Sequence, residues 1–188
     1  MRVIAGEAKG RGLVAPTGTG TRPATDRIRE TLFQILEPDL GDARVLDLFA
    51  GAGTMGIEAL SRGAAHATFV ERAAPALAAL RQNVASTGFA GRSEVVATSV
   101  IGFLDRGASR VRYDFAFLDP PFADVAVLEQ TLAHPNLASS LAPGARVIAR
   151  ILRKHPPRLP ANAEAVRTKQ IGEEDLVFLR YSEPGGGG

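Results

Sequence analysis

Asp119-Pro120-Pro121-Phe122 carry the residue types needed to hold a flat ring that bears an amino group. They follow the apolar run Tyr113–Leu118, which predicts a strand, and the two prolines end it because neither can donate to a sheet ladder. A carboxylate accepts hydrogen bonds from an –NH2 group, and an exposed aromatic face stacks on a ring. The alternative is an ordinary proline-rich loop after a buried strand, so other parts of the chain must decide.

A glycine-rich loop follows the predicted strand Arg44–Phe49, and Gly51, Gly53 and Gly56 satisfy the pattern G-x-G-x-x-G. Such glycines permit a tight turn and the close approach of a ligand to the backbone. Glu71 ends the next predicted strand, where a carboxylate can accept hydrogen bonds from both ribose hydroxyls. The pattern predicts a ligand that contains a nucleoside, and nicotinamide and flavin cofactors also use it.

Three features favour S-adenosylmethionine over a dinucleotide. Asp47 lies just before the glycine loop, where its carboxylate would face an amine and repel a pyrophosphate. The Asp119 turn ends the fourth core strand, at the sheet edge where α/β proteins bind ligands. The chain also ends in a hairpin, which the usual dehydrogenase layout lacks. We therefore predict Glu71 at the ribose, Asp47 near the methionine amine and Asp119 at the methyl acceptor. Alternatively, Asp47 caps the amides of the turn.

Composition limits the classes of protein that remain. The 188 residues suit one domain, and the absence of Cys excludes disulfides and thiolate metal sites. The histidines His66, His134 and His155 show no ligand spacing, so we predict no metal. No apolar run is long enough to span a membrane, and the first residues lack the apolar core of a signal peptide. We therefore expect a cytoplasmic protein that does not contact a membrane.

Positive charge concentrates at the two ends of the chain. The net charge is only +2, but Lys and Arg dominate residues 1–25 and 146–169, on either side of a more acidic middle. Two basic segments fit a surface that contacts phosphate groups. Simple solvation of exposed faces explains the same distribution.

Alternating patterns of strand and helix predict a parallel sheet covered on both faces. The predicted strands of this part are Arg44–Phe49, Ala67–Glu71, Glu94–Thr98, Tyr113–Leu118 and Ala145–Leu152. The predicted helices are Thr54–Arg62, Ala74–Ser86, Ile101–Arg106 and Val125–Ser140. Two further strands, Ala163–Gln170 and Asp175–Tyr181, are joined by a polar turn. Adding this antiparallel hairpin gives a mixed seven-stranded sheet.

The first 24 residues predict a small N-terminal extension, in which Arg2–Ala5 and Gly10–Val14 form two short strands of a β-hairpin. Thr25 is a candidate N-cap for a leading helix, and Asp26 complements its dipole. The buried stripe of that helix is Ile28, Leu32, Ile35 and Leu36, and the arginines outside it are Arg22, Arg27 and Arg29. The division is therefore 1–24 for the extension, 25–182 for the main domain and 183–188 for a disordered tail.

The motifs resemble a known family. Asp47–Gly56 with Asp119–Phe122 is similar to class I S-adenosylmethionine-dependent methyltransferases that act on an exocyclic amine. Arg22–Phe33 resembles the signature of the bacterial 16S rRNA guanine-N2 methyltransferases of the RsmD type. Val3–Gly6 and Lys9–Arg11 also match the N-terminal hairpin of that family. The likeness covers about residues 1 to 182, which is nearly the whole chain.

The resemblance implies a Rossmann-like fold and methylation of the N2 atom of one guanine in small-subunit ribosomal RNA. Asp119 and the backbone carbonyl of Pro120 would hold the guanine amine, and Phe122 would stack on the base. Many class I enzymes carry an acid near the adenine amine, and Thr98 and Ser99 occupy that region here. The residues implied to bind S-adenosylmethionine are Asp47, Phe49, Gly51, Gly53, Thr54, Glu71, Thr98 and Ser99.

The basic residues near the N-terminus are the expected contacts to RNA. We select Lys9, Arg11, Arg22 and Arg29, although plain surface charge explains each of them nearly as well. Arg27 fits two roles, at the methionine end of the cofactor or at an RNA phosphate. The substrate is either naked RNA or a partly assembled ribosomal subunit, and we expect the protein to be a monomer.

The sequence is also compatible with three other functions. An adenine-N6 methyltransferase on DNA or RNA could use the same acidic turn, since either base presents an amine. A non-catalytic nucleic-acid-binding protein could keep the fold, although the intact Asp119 and glycine loop argue against it. A nicotinamide oxidoreductase comes last.

Overall fold

The computed structural model of the chain describes residues 1–17, 24–107 and 111–182. The strands are β1 (Arg44–Asp47), β2 (His66–Glu71), β3 (Ser93–Ala97), β4 (Tyr113–Leu118), β5 (Leu141–Leu152), β6 (Ala163–Ile171) and β7 (Glu174–Tyr181). The α-helices are α1 (Asp26–Leu36), α2 (Thr54–Ser61), α3 (Ala74–Thr87), α4 (Val100–Leu104), α5 (Val125–Ala133) and α6 (Pro135–Ser139). Short 3-10 turns occupy Glu37–Asp39 and Ala90–Arg92.

The strands form one seven-stranded sheet in the order β3-β2-β1-β4-β5-β7-β6. The neighbours from β3 to β5 pair in parallel, whereas β7 is antiparallel to both β5 and β6. The mixed sheet with a C-terminal antiparallel hairpin is therefore confirmed. The strand order reverses between β1 and β4, and in α/β sheets ligands bind outside the carboxyl ends of the strands at such a switch point.

Helices cover both faces of the sheet, as the apolar strands require. On one face, α1, α2 and α3 pack against the sheet, with Phe33 of α1 edge-on to Phe117 of β4 at 5.7 Å between ring centroids. On the other face, α4, α5 and α6 pack against side chains that alternate with the first set. Thr25 caps α1 as predicted, because its hydroxyl accepts a hydrogen bond from the Ile28 amide.

The single helix predicted over Val125–Ser140 is wrong. The chain forms two helices, α5 and α6, separated at His134. Pro135 lacks the amide hydrogen that a continuous helix needs, and it disfavours the helical conformation in the residue before it. His134 accordingly adopts φ −70° and ψ 126°, and its ring accepts a hydrogen bond from the Asn136 amide that opens α6.

The prediction of two N-terminal strands is also wrong in detail. Within the described residues the extension holds one antiparallel bridge, between Arg2 and Gly12. The amides of Ile4 and Ala5 do not extend the ladder, because they donate instead to the carboxylate of Glu58 on α2. Gly6 at the tip has φ 81°, and a Cβ there would lie 1.7 Å from the Ser61 carbonyl oxygen. The hairpin is thus pressed against the end of α2.

Several predictions concern residues outside this description or absences within it. Arg22 and the tail 183–188 lie outside the described residues, and the domain division at residue 24 stays a prediction. Within 1–17, 24–107 and 111–182, no group of His, Cys, Asp or Glu side chains is arranged to hold a metal ion. None of the helices in that part of the chain is both long and apolar enough to cross a membrane.

Candidate active site

The glycine loop between β1 and α2 is packed on one side and open on the other. Gly51 and Gly53 have φ 54° and 82°, the left-handed region that glycine adopts without strain. A Cβ on Gly53 would lie 2.4 Å from Leu80, and one on Gly56 would lie 2.3 Å from the Phe69 ring. A Cβ on Gly51 would meet no atom within 4 Å. The loop therefore needs glycine for its fit to the core, and it leaves room above Gly51.

Glu71 lies at the end of β2 and holds this loop directly. One of its carboxylate oxygens accepts a hydrogen bond from the Gly51 amide at 2.8 Å. The other accepts from the amides of Arg72 and Ala73, both at 2.7 Å. A carboxylate oxygen has two lone pairs, so the oxygen on Gly51 can also accept from a ribose hydroxyl.

Asp47 ends β1 and is only 1% exposed. Its Oδ2 accepts a hydrogen bond from the Gly56 amide at 3.1 Å. Asp47 therefore caps one amide of the turn, as the alternative interpretation expected. Burial, opposed by the hydrogen bond from the Gly56 amide and aided by the negative charges of Asp119 and Glu71, raises the pKa of Asp47 to about 7. A bound cation would relieve this repulsion.

The sheet register brings three acids together. Asp47 pairs with Phe69 of β2 on one side and with Phe117 of β4 on the other. Glu71 and Asp119 each come two residues after those partners. Because side chains two residues apart share a face, the three carboxylates lie on the face that carries α1, and the Asp47 and Asp119 backbones are roughly 8 Å apart.

Asp119 accepts hydrogen bonds from a buried arginine. Nη1 of Arg150, on the neighbouring strand β5, donates to both of its carboxylate oxygens, at 2.8 and 3.1 Å. Nε of Arg150 donates to Glu174 at the start of β7, at 2.6 Å. The pKa of Asp119 is raised to about 6, mainly by burial; the charge and the hydrogen bond of Arg150 oppose this rise, and the charge of Glu174 adds to it.

Phe122 stacks on the same arginine. The Arg150 guanidinium carbon lies 4.5 Å from the centroid of the Phe122 ring, within the range of a cation–π contact. Phe122 is half-buried, and a small cleft beside it is lined by the two prolines of the turn, Arg150 and His155. Pro120 and Phe122 therefore lie beside Asp119 at the edge of a cleft.

Of the remaining predicted cofactor residues, Phe49, Thr54, Thr98 and Ser99 follow strands at the same sheet edge. Thr54 is the first residue of α2 and is buried, and Phe49 is half-buried between β1 and the loop. Thr98 follows β3, where its amide donates to the Glu71 carbonyl at 3.0 Å. The Ser99 hydroxyl caps α4 by accepting from the Gly102 amide at 3.0 Å. Arg27 is exposed on the first turn of α1.

The prediction that Arg29 contacts RNA is wrong, whereas Lys9 and Arg11 are exposed as that role requires. Arg29 is 1% exposed. Its Nη2 donates to Asp26 at 2.7 Å and to the Arg2 carbonyl at 2.8 Å, and its Nη1 lies 3.6 Å from buried Glu58. Arg29 falls outside the apolar stripe, but the N-terminal extension covers it, which helix periodicity alone could not show.

Sequence reasoning missed the residues that support the site. Arg150 and Glu174 lie on different strands, and the pairing of β5 with β7 brings them together. Asn83 of α3 is fully buried and joins two segments: its amide nitrogen donates to the Ala52 and Val14 carbonyls, and its oxygen accepts from the Val14 amide. A polar residue within the otherwise apolar face of α3 was the available signal for Asn83.

Comparison with known proteins places the chain in a family. The model of the family described as Conserved hypothetical protein 95 matches residues 1–180. Ribosomal RNA small subunit methyltransferase D of Escherichia coli is 38% identical over 174 residues, 92% of this chain and 86% of that protein. The Haemophilus influenzae protein of the same name is 34% identical over 173 residues, 92% of this chain and 89% of that protein.

A solved structure of similar shape supports the same assignment. The Escherichia coli yhhF protein, named as a candidate methyltransferase, has a TM-score of 0.83 and 36% identity over 96% of this chain and 97% of its own. The fold with its C-terminal hairpin, the glycine loop beside three acids and the match over residues 1–180 lead to one conclusion. The chain belongs to the ribosomal RNA small subunit methyltransferase D family of class I methyltransferases.

Proposed function

We propose that this protein transfers a methyl group from S-adenosylmethionine to the exocyclic N2 of a guanine in small-subunit ribosomal RNA. The observation that carries the proposal is the meeting of two half-sites at the switch point of the sheet. The glycine loop with Asp47 and Glu71 forms one half, and the turn Asp119–Phe122 forms the other. Small-subunit ribosomal RNA as the substrate class is supported by the name of the relatives, ribosomal RNA small subunit methyltransferase D.

The residues present fit S-adenosylmethionine. The space above Gly51 admits a ligand next to the backbone, and Glu71 lies beside it with lone pairs for a ribose. Asp47 is a buried acid whose charge is opposed by two other acids, so an ammonium group there would be stabilised and a pyrophosphate repelled. When bound, this cofactor supplies a methyl group that is already activated by a positively charged sulfur.

The acceptor side must align an aromatic amine, whose lone pair is delocalised into the ring. Hydrogen bonds from the amine to Asp119 and to the Pro120 carbonyl favour a more tetrahedral nitrogen with an available lone pair. Positioning of this kind can contribute several kcal/mol. The amine becomes far more acidic as it gains the methyl group, so its proton can leave afterwards without a strong base. Phe122 would stack on a base that has left its helix.

The acid favours guanine over adenine. Guanine presents the donors N1–H and N2–H side by side, and the two oxygens of an ionised Asp119 can accept both. Next to its amine, adenine presents the acceptor N1, which a carboxylate repels. We assign the adenine-N6 reaction as the second candidate, because the same turn can hold one N6–H.

The contacts with RNA complete the proposal. Lys9 and Arg11 on the hairpin and Arg27 on α1 are exposed cations on segments of the N-terminal part. We place them against RNA phosphates, with the second role of Arg27 at the methionine end of the cofactor. We also propose that the protein works as a monomer in the cytoplasm on a ribosomal subunit under assembly.

A methyl-transfer assay tests the proposal. Purified protein is incubated with labelled S-adenosylmethionine and either naked small-subunit RNA or small subunits from cells that lack this protein. We expect label in N2-methylguanosine after digestion to nucleosides. Label in N6-methyladenosine would instead establish the second candidate, and no incorporation into either substrate would contradict both.

A further inference from the structure

Arg150 joins three parts of the acceptor site although it lies in the sheet. Its side chain is only 5% exposed. One nitrogen bridges the two oxygens of Asp119, Nε is held by Glu174, and the guanidinium lies over the Phe122 ring. Burying an arginine is costly unless it is paired and hydrogen-bonded, and here two acids on neighbouring strands provide the pairing.

Arg150 is the cation that favours the ionised form of Asp119. The charged groups that face Asp119 are Arg150 of β5, Glu174 of β7 and, across the sheet edge, Asp47 of β1. The acids and burial favour a neutral carboxyl, and Arg150 favours the ionised one. A neutral carboxyl would carry a proton where the amine must donate. The same guanidinium supports the Phe122 ring, so that both contacts to the base depend on a single side chain.

We propose that Arg150 is a positioning residue of the acceptor site. It keeps both oxygens of Asp119 available as hydrogen-bond acceptors and holds the Phe122 ring in place, while Glu174 fixes the orientation of the Arg150 side chain. This inference rests on the proposed function for its catalytic consequence. Its structural core, the coupling of Arg150 to Asp119, does not depend on the identity of the substrate.

Three variants test the proposal through the pH dependence of kcat. Arg150→Met removes the cation, so the acid limb of the profile should move up by roughly one to three pH units. Arg150→Lys keeps a cation and should keep the wild-type limb with a lower plateau, because it loses the planar stack. Glu174→Gln removes a negative charge near Asp119 and should move the limb down. A loss by one constant factor at every pH in all three variants would overturn the proposal.

Titration of the free protein separates this inference from the proposed function. With carboxyl-labelled aspartate, NMR follows Asp119 without RNA or cofactor, and an Asp119→Asn spectrum assigns the signal. We expect a midpoint near 6 in the wild type, a higher one in Arg150→Met and a lower one in Glu174→Gln. Unchanged midpoints would overturn the coupling. Shifted midpoints in a protein that methylates no RNA would uphold it and refute the proposed function. If Arg150→Met does not fold, the Glu174→Gln shift decides.

A separate observation concerns the charges on β6, which is exposed on both faces. Arg167 pairs with Phe178 and Lys169 with Leu176, and both partners belong to the core beneath α1. Directly opposite residues share a face, so both cations lie on the α1 face. Arg150 also pairs with Leu176, which puts Lys169 on the rung of Arg150 and about 14 Å, three strand spacings, from Asp119.

These cations are not neutralised by acids in the described part of the chain, and the Arg167 guanidinium lies 5.9 Å from the centroid of the Phe178 ring. Among residues 1–17, 24–107 and 111–182, Lys169 and Arg167 form no ion pair, and neither does exposed Lys154, which follows β5 at the active-site edge. The opposite face of β6 carries neutral side chains, such as Thr168 and Gln170. All the positive charge of this edge strand thus lies on the α1 face, which is also the face assigned to Asp47, Glu71 and Asp119.

We infer that Lys154, Arg167 and Lys169 form a basic strip that binds the phosphates of RNA leading to the target base. This inference rests on the proposed function. Changing all three residues of the strip to Gln should weaken binding of small-subunit RNA about tenfold near 0.1 M salt. The slope of log K against log salt should fall by roughly two, since each lost phosphate contact contributes about 0.7 on single strands.

The matched control is Arg44→Gln with Arg106→Gln, which removes exposed cations away from the strip. Binding of S-adenosylmethionine should be unchanged in both variants. An unaltered salt slope in the strip variant, or an equal loss in the control, would overturn the strip. Wild-type protein that binds RNA through the strip and yet transfers no methyl group would refute the proposed function alone.

Discussion

Burial, with neighbouring negative charge as a smaller cause, raises the pKa of two acidic residues of this site. Asp47, Glu71 and Asp119 share one face at one edge of the sheet, and the pKa values of Asp47 and Asp119 rise to about 7 and about 6. Arg150 opposes the rise in the pKa of Asp119. For Asp47, we propose that the ammonium group of the ligand has this effect.

Asp119→Asn should reduce turnover by at least about a hundredfold, because a misplaced acceptor costs that much in alignment. The amide keeps the size of the side chain but turns a donor towards either the amine or Arg150. Affinity for S-adenosylmethionine, measured by calorimetry, should be largely unchanged. Asp105→Asn, an exposed acid paired with His134, serves as the matched control. Full activity in Asp119→Asn would contradict the role of the acid.

Binding of S-adenosylmethionine should release protons near pH 7. The raised pKa of Asp47 leaves its carboxyl partly protonated in the free protein, and the ligand ammonium lowers that pKa. Affinity should therefore rise as pH rises from 6 to 8. Calorimetry in two buffers of different ionisation enthalpy should report release of about half a proton at pH 7. The proton release should vanish in Asp47→Asn. Proton release that persists in this variant would show that another group loses the proton.

At the scale of elements, α2 connects the N-terminal hairpin to the glycine loop. Glu58 is fully buried and accepts from the amides of Ile4 and Ala5 and from Arg62. The N-terminus of the same helix follows Gly53. Asn83 forms a second connection, since it bonds both Val14 and the loop carbonyl of Ala52. The extension is thus tied to the glycine loop.

Glu58→Ala should destabilise the protein by about 3 to 5 kcal/mol, because it leaves Arg29 and Arg62 buried without their acid and two amides without an acceptor. Urea unfolding followed by circular dichroism measures the change. Glu30→Ala on exposed α1 surface is the matched control and should cost little. A loss below about 1 kcal/mol in Glu58→Ala would show that the network does not anchor the hairpin.

The elements with strong periodicity could be predicted from the sequence. The strands appear within a few residues of the predicted bounds, since apolar runs and glycine loops are local signals. The His134 break was also local, because Pro135 marks it, yet the helical pattern on either side concealed it. Arg150, Glu174 and buried Arg29 could not be found, because strand pairing and the covering hairpin are long-range contacts.

At the scale of the molecule, the proposed RNA surface has two parts that lie on different elements of the fold. The hairpin presents Lys9 and Arg11, and the far edge of the sheet presents the basic strip. This arrangement suits a substrate wider than a single base, and it explains why the basic segments lie at the two ends of the chain.

Changing Lys9 and Arg11 together to Gln should reduce the salt slope of RNA binding by about 1.4, for two lost phosphate contacts. The measurement is filter binding of small-subunit RNA over a salt series, with Arg44→Gln and Arg106→Gln as the control. An unchanged slope would remove the hairpin from the RNA surface and leave only the role of Glu58 in fixing its position.

Mapping of the methylated nucleotide by mass spectrometry tests the central claim most directly. Small-subunit RNA is digested from cells with and without this protein and from cells that carry only Asp119→Asn. We predict one fragment whose guanine carries an N2-methyl group only in the presence of the intact protein. Identical fragments in all three strains, or a difference located on adenine, would contradict the account.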